Sequence, residues 1–429
     1  MIQPPDAAQP LERPILRGDV ARLFATRALR LFAYGALSVV LVFHLAAAGL
    51  SEGRIGLLLT LTLAGDTVVS LLLTTRADLA GRRRTLVAGA ILMVGAGVLF
   101  AVTQDFWLLL LAATLGIISP SGNEVGPFLA VEQAALSQAV PSRRRTSVFA
   151  WYALTGSFAT AAGAFAGGAL AEGLQRTGAS PLQSYRAVIL LYAVLGGALA
   201  LLFAGLGPGV EAPAARRADR PPLLSPGLGL HRSRGVVARL SALFALDAFA
   251  GGFIVQSFLA WWLARRFGVH EATVGAILLG ANVLAGLSAL AAASLARRFG
   301  LVATMVFTHL PSNLLLAAVP LAPSLGWAVA LLLLRFAISQ MDVPTRQSFT
   351  MAVVAEDERA AAAGVTGIAR TVGASLAPLL AAPLYASATL SAVPFFVCGG
   401  LKVVYDLALW RAFSRLEPAE SEGGRAAKG

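Results

Sequence analysis

The chain has 429 residues, 57% of them hydrophobic and only 13% charged, too few polar groups to cover a soluble protein of this size. Its mean hydropathy of +0.75 points to a polytopic membrane protein. The net charge of +12 argues against nucleic acid as a partner, because the arginines fall in short loops between apolar runs, the positive-inside pattern.

Residues 1–27 carry Pro, Asp, Glu and Arg and lack an apolar region directly after the start, so they read as a cytosolic tail and not a cleaved signal. Apolar stretches of transmembrane length follow at roughly 28–49, 54–75, 84–103, 107–134, 146–170, 184–205, 237–263, 272–294, 300–322, 325–353, 361–385 and 390–412. These twelve expected spans define an all-α polytopic membrane protein. The longest polar interruption, 206–236, contains Pro208, Pro213, Pro221, Pro222 and Pro226 and reads as a cytoplasmic linker between six-helix halves at 28–205 and 237–412. A cytoplasmic tail, 413–429, closes the chain.

Charge gives the sidedness. Arg17, Arg22, Arg27 and Arg30 precede span one, Arg82 to Arg84 follow span two, and Arg143 to Arg145 follow span four. Arg216, Arg217, Arg220, Arg232 and Arg234 follow span six, Arg297 and Arg298 span eight, and Arg411, Arg415, Arg425 and Lys428 span twelve. With alternating spans all lie on one side, so both termini are expected in the cytoplasm; Arg265 and Arg266 run against the pattern. Trp107, Trp261 and Trp262 near span ends suit the lipid interface, and Cys398 suits core packing.

The halves repeat weakly. A displacement of 214 residues brings Arg145 onto Arg359 and Glu132 onto Arg346, and the Arg82–Arg83 loop has a counterpart near Arg297–Arg298. Opposite charges at the equivalent positions Glu132 and Arg346 suggest an ion pair between the halves.

Twelve spans, a basic linker and an Asp-x-x-Gly-Arg-Arg loop between spans two and three resemble the major facilitator superfamily of secondary transporters over roughly residues 20 to 412. Asp78, Gly81, Arg82 and Arg83 match that loop, while Thr74 replaces its leading Gly. The resemblance implies a conformational latch, with Asp78 near a neighbouring helix end and Arg82 or Arg83 in cytoplasmic charge pairs. The alternative is that Arg82 to Arg84 only anchor topology and bind anionic lipid headgroups. Gly163-Ala164-Phe165-Ala166-Gly167-Gly168 is similar to the span-five motif of drug and metabolite:proton antiporters, with Ala164 in place of its proline, and implies efflux. Small-residue helix packing explains the same glycines.

Ionisable groups within apolar sequence must face a polar cavity or one another. They are Asp66, Glu124, Glu132, Asp247, Arg335, Asp342, Arg346, Arg370, Lys402 and Asp406. Asp66 and Asp247 are candidates for proton coupling or substrate contact. Glu124 follows Asn123 in Ser119-Pro120-Ser121-Gly122-Asn123-Glu124-Val125-Gly126-Pro127, where the prolines permit a broken helix and hence a binding site, or a plain kink. Asp342 and Arg346, spaced i,i+4, read as a pair or as substrate contacts. Arg370 is placed to bind an anionic substrate or to hold a carboxylate charged. Lys402 and Asp406 read as a structural pair, and His44 and His309 as satisfied interfacial histidines.

The sequence reading is therefore a non-enzymatic secondary transporter without cofactor or metal, whose partners are a small molecule, protons and lipid. It is expected as a monomer in a bacterial inner membrane. Proton-coupled efflux is its first form; uptake of a carboxylate, amino acid or sugar-like metabolite, proton-coupled or facilitative, is the alternative.

Overall fold

The computed structural model describes residues 17–140, 142–212, 230–355 and 358–414. The expected markers Arg216, Arg217, Arg220, Arg415, Arg425 and Lys428 lie outside the described residues, as do the side chains of Arg17 and Arg143 to Arg145. Everything described is helix, turn or loop. The helices are α1 (Arg17–Ala47), α2 (Glu52–Ala80), α3 (Arg82–Val102), α4 (Phe106–Leu115), α5 (Phe128–Ala139), α6 (Ser142–Arg176) and α7 (Pro181–Ala204). Then come α8 (Arg234–Gly252), α9 (Gln256–Phe267), α10 (Glu271–Phe299), α11 (Leu301–Ala318), α12 (Leu325–Ser339), α13 (Asp342–Ala352), α14 (Arg359–Ala386) and α15 (Val393–Phe413).

Among the described residues, eleven helical stretches are long and apolar enough to cross a bilayer. The expected span at 107–134 is not one helix. It is two short ones, α4 and α5, parted by Gly116–Pro127, where Pro120 and Pro127 lack donors and Gly122 (φ 68°) and Gly126 (φ 81°) occupy the left-handed region. Two other expected spans break as well: α8 and α9 are parted by Phe253–Val255, and α12 and α13 by Gln340–Met341. The 214-residue repeat is visible here, since 128–139 displaced by 214 is 342–353 and α13 covers Asp342–Ala352.

Packing turns the usual soluble arrangement inside out. Trp107, Leu201 and Trp327 are exposed, while Arg30, Glu132, Asp247 and Asp406 are buried. Trp261 and Trp262 correct the interfacial expectation, being buried in the core, with Arg265 stacked on the Trp261 ring at 4.8 Å. Cys398 is a buried, free thiol.

Close helix contacts rest on small residues. A Cβ on Gly163 of α6 would lie 2.0 Å from the Phe32 carbonyl oxygen of α1, and one on Gly373 of α14 would lie 2.3 Å from that of Ala245 on α8. Thus α1 packs on α6 and α8 on α14, equivalent pairs in the two parts of the chain. Across the parts, α2 packs on α14 and α6 on α10.

Among the described residues, the hydrogen bonds joining 17–212 to 230–414 lie toward the end where α1 passes into α2, here termed the Gly49 end. Thr60 Oγ1 accepts from Leu379 N (3.0 Å), the Glu172 carboxylate from Ala272 N (3.1 Å), Glu271 from the Tyr185 hydroxyl, and Ser38 Oγ from Gln256 Nε2 (2.7 Å). The Pro120 carbonyl in the α4–α5 break accepts from both Ser257 N and Ser257 Oγ. The opposite end is marked by Arg82.

Candidate functional site

Two buried clusters of charge occupy the two parts of the chain. The first forms because α1 begins eleven residues before the expected span, carrying Arg27 and Arg30 into the protein. These arginines, read from sequence as loop markers of sidedness, are structural partners. Arg27 Nη1 donates to Glu124 Oε2 and Arg30 Nε to Glu124 Oε1, both at 2.7 Å. Arg30 also grips Glu132 with two parallel bonds of 2.9 and 2.6 Å, the bidentate fork that a guanidinium offers a carboxylate. Thr26 Oγ1 (2.8 Å) and the Tyr152 hydroxyl complete the donors to Glu132.

Glu132 and Arg346, expected to pair between the halves, are not together here. Each is satisfied in its own part of the chain, Glu132 by Arg30 and Arg346 by Asp342 and Asp247. Asp66 does not join the first cluster either. Its Oδ1 accepts from Gly126 N (2.7 Å) and Ser70 Oγ (3.2 Å), so the carboxylate closes the non-helical stretch ahead of α5. Asn123 is exposed in the same break, beside the partly exposed Glu124.

The second cluster draws on five helices. Asp247 of α8 accepts from Lys402 Nζ of α15 at 2.5 Å and from Arg346 Nη1 of α13 at 3.2 Å. His309 Nε2 of α11 lies 3.9 Å from it and Arg370 Nη1 of α14 lies 3.6 Å away. Asp342 binds Arg346 at 3.0 Å, as the i,i+4 spacing implies. Lys402 and Asp406 correct the expectation of a mutual pair: Lys402 turns to Asp247, and Asp406 binds His309 Nδ1 (2.8 Å) and Asn313 Nδ2 (2.9 Å). His309 is thus a member of the charged network, whereas His44 is buried with Nε2 3.0 Å from the Phe100 carbonyl oxygen.

The Gly81 loop ties the Arg82 end of the first part together. Gly81 takes φ 100°, which lets α3 start directly after α2. Arg82, almost fully buried, bonds Asp78 (2.7 Å), Gln138 of α5 (2.9 Å) and the Val210 carbonyl (3.2 Å). Arg83 reaches the Leu206 carbonyl at 3.4 Å. The Glu211 carboxylate accepts from the N–H groups of Arg82 (2.7 Å) and Arg83 (3.2 Å), a cap on α3 supplied from beyond α7.

Arg27, Arg30, Tyr152 and His309 escaped the sequence reading of the site. For the arginines a signal existed: the i,i+3 pair Arg27 and Arg30 shares a helical face with Leu23 and Tyr34, with no Pro or Gly between Arg17 and Tyr34 except Gly18. Among the described residues no group of three His, Cys, Asp or Glu side chains is arranged to hold a metal ion.

Known proteins carry the same architecture. The chain is 30% identical over 418 residues to an uncharacterized membrane protein of Saccharomyces cerevisiae, covering 91% of this chain and 93% of that one. The nucleoside transporter NupG superposes with a TM-score of 0.70 at 14% identity, covering 93% of this chain and 99% of that chain. A D-xylose–proton symporter superposes with a TM-score of 0.69 at 17% identity over 91% and 97%. Residues 23–378 match the Major Facilitator Superfamily, to which this chain belongs.

Proposed function

We propose that the protein is a secondary transporter that takes up a polar small molecule by alternating access, with two six-helix bundles rocking about a site between the two charged clusters. The observation that carries this reading is the pairing of two membrane-buried ion clusters with parts joined by hydrogen bonds at the Gly49 end. Buried charge of this kind is costly in a merely structural bundle and suits a pathway that charged or polar solutes must cross.

Uptake is favoured over efflux. The glycines behind the antiporter resemblance have packing roles, Gly163 and Gly167 against α1 and Gly168 against α10, and the D-xylose–proton symporter named above offers a precedent for movement of a polar solute together with a proton. Both termini are placed in the cytoplasm by the arginine bias, which puts the Arg82 end there. On this reading the Asp78–Arg82 loop is the latch of one conformational state.

Glu124 is our choice for the coupling carboxylate, because it is partly exposed, sits on non-helical backbone, and holds both Arg27 and Arg30. The test is reconstitution in liposomes with an imposed pH gradient and labelled polar solutes. Solute-dependent proton entry that is lost in Glu124→Gln supports proton-coupled uptake. Solute exchange that ignores the gradient and this substitution leaves facilitative uptake, and no exchange above empty liposomes sinks the proposal.

A further inference from the structure

The two clusters differ in how completely their cations are hydrogen-bonded. Around Glu124 and Glu132 two arginines face two carboxylates, and every partner is hydrogen-bonded. In the second cluster Asp247, Asp342 and Asp406 face Arg346, Arg370 and Lys402.

The incompletely bonded cation of this cluster is Arg370. Lys402 and Arg346 already occupy both Asp247 oxygens, and at 3.6 Å Arg370 Nη1 is left without a hydrogen bond although it is buried. No described residue accepts from any Arg370 N–H, yet 34% of its side chain is exposed. Its position is fixed. Arg370 continues the buried stripe of Ala362, Thr366 and Ala377 on α14, one turn from Gly373, which seats that helix on Ala245 of α8. A guanidinium held within the membrane with one 3.6 Å ion pair and no hydrogen bond is costly unless an anion arrives to use its donors.

We propose that Arg370 is the recognition point for a small monocarboxylate substrate, received by its free guanidinium fork beside the Arg346–Asp247–Lys402 cluster. This deepens the transport reading above and rests on it. A carboxylate fits the planar fork with two parallel bonds, a match of geometry that a flat two-oxygen group makes better than a tetrahedral phosphate.

The test measures melting temperature of the purified full chain with short monocarboxylates (lactate, pyruvate, benzoate), each beside its neutral amide. Inorganic phosphate and phosphatidylglycerol form separate arms. We expect at least one acid to raise the melting temperature while its amide does not. In Arg370→Gln the acid binds roughly tenfold or more weakly, in line with a lost charge-assisted bond, and Arg370→Lys recovers part of the response. Because Arg370 supports no hydrogen bond, the unliganded Arg370→Gln variant is expected to melt close to the unsubstituted protein, which separates lost binding from misfolding. Acids and amides acting alike, an undiminished response in Arg370→Gln, or stabilisation by phosphate or phosphatidylglycerol alone would overturn the proposal. Exchange of neutral polar solutes by proteoliposomes with no response to acids would overturn this inference and leave the transport reading standing. Binding of acids without solute exchange would do the reverse.

Discussion

Pro120 and Ser257 bind the two parts of the chain through backbone: the Pro120 carbonyl oxygen accepts from the Ser257 N–H at 3.1 Å and from its hydroxyl at 2.5 Å. The first residue lies in the α4–α5 break and the second in the first turn of α9, so each break supplies what the other leaves unpaired. Ser257→Ala removes the hydroxyl bond and keeps the other. The expected effect is about 1 kcal/mol, roughly a fivefold shift away from the state closed at the Gly49 end. Pulsed electron-spin distances between labels at Gly53 and Ala388 would read it as a growing longer-distance population.

The Arg30–Glu132 pair is fully buried on both sides. Glu132→Ala leaves Arg30 with Glu124 alone and is expected to cost about 3 kcal/mol or more, the usual penalty for stranding a buried charge. Replacing both, as Arg30→Met with Glu132→Leu, is expected to cost less than the two single changes together. Thermal unfolding of the four proteins in detergent closes that cycle.

Gly163 has the packing role that the sequence offers as the alternative to its motif resemblance. With a Cβ 2.0 Å from the Phe32 carbonyl oxygen, Gly163→Ala must push α6 off α1 and is expected to destabilise by about 1–3 kcal/mol. Gly173→Ala, on the same helix with open space around it, is the control and is expected to be neutral or slightly stabilising. Equal melting temperatures for both variants would contradict the packing account.

Glu358, in the loop ahead of α14, gathers the N–H groups of Arg232 (2.7 Å) and Ser233 (2.8 Å), together with that of His231, at the start of α8. Burial pushes its carboxyl up, but these bonds and the Ser233 hydroxyl outweigh it and bring it from 4.5 down to about 2. A carboxyl lowered on folding contributes stability that is fully present above its unfolded value and lost as the pH falls through the folded one. Melting temperature is therefore expected to drop between pH 4.5 and about 2, and Glu358→Gln to flatten that part of the curve.

The spans were legible because a bilayer demands long apolar runs, whatever the tertiary contacts. The break at 116–127 was half legible: Pro120, Gly122, Gly126 and Pro127 mark a bend, but only the fold shows Asp66 capping it. The break at Phe253–Val255 was not, since its three apolar residues look like helix and are displaced by the contacts of Ser257 and Gln256. The charged candidates in apolar sequence were findable one at a time, through the cost of burying charge. Their partners were not: i,i+4 spacing identified Asp342–Arg346 and misassigned Lys402–Asp406, because Asp247 and His309 arrive from helices far away in sequence.

The most direct test of the central claim is solute counterflow in proteoliposomes, comparing the unsubstituted protein with Asp247→Asn. Saturable exchange of a polar solute, strongly reduced in Asp247→Asn while the protein stays folded, is the predicted result. A flux equal to that of empty liposomes across a broad solute panel, or exchange that Asp247→Asn leaves untouched, would contradict the account.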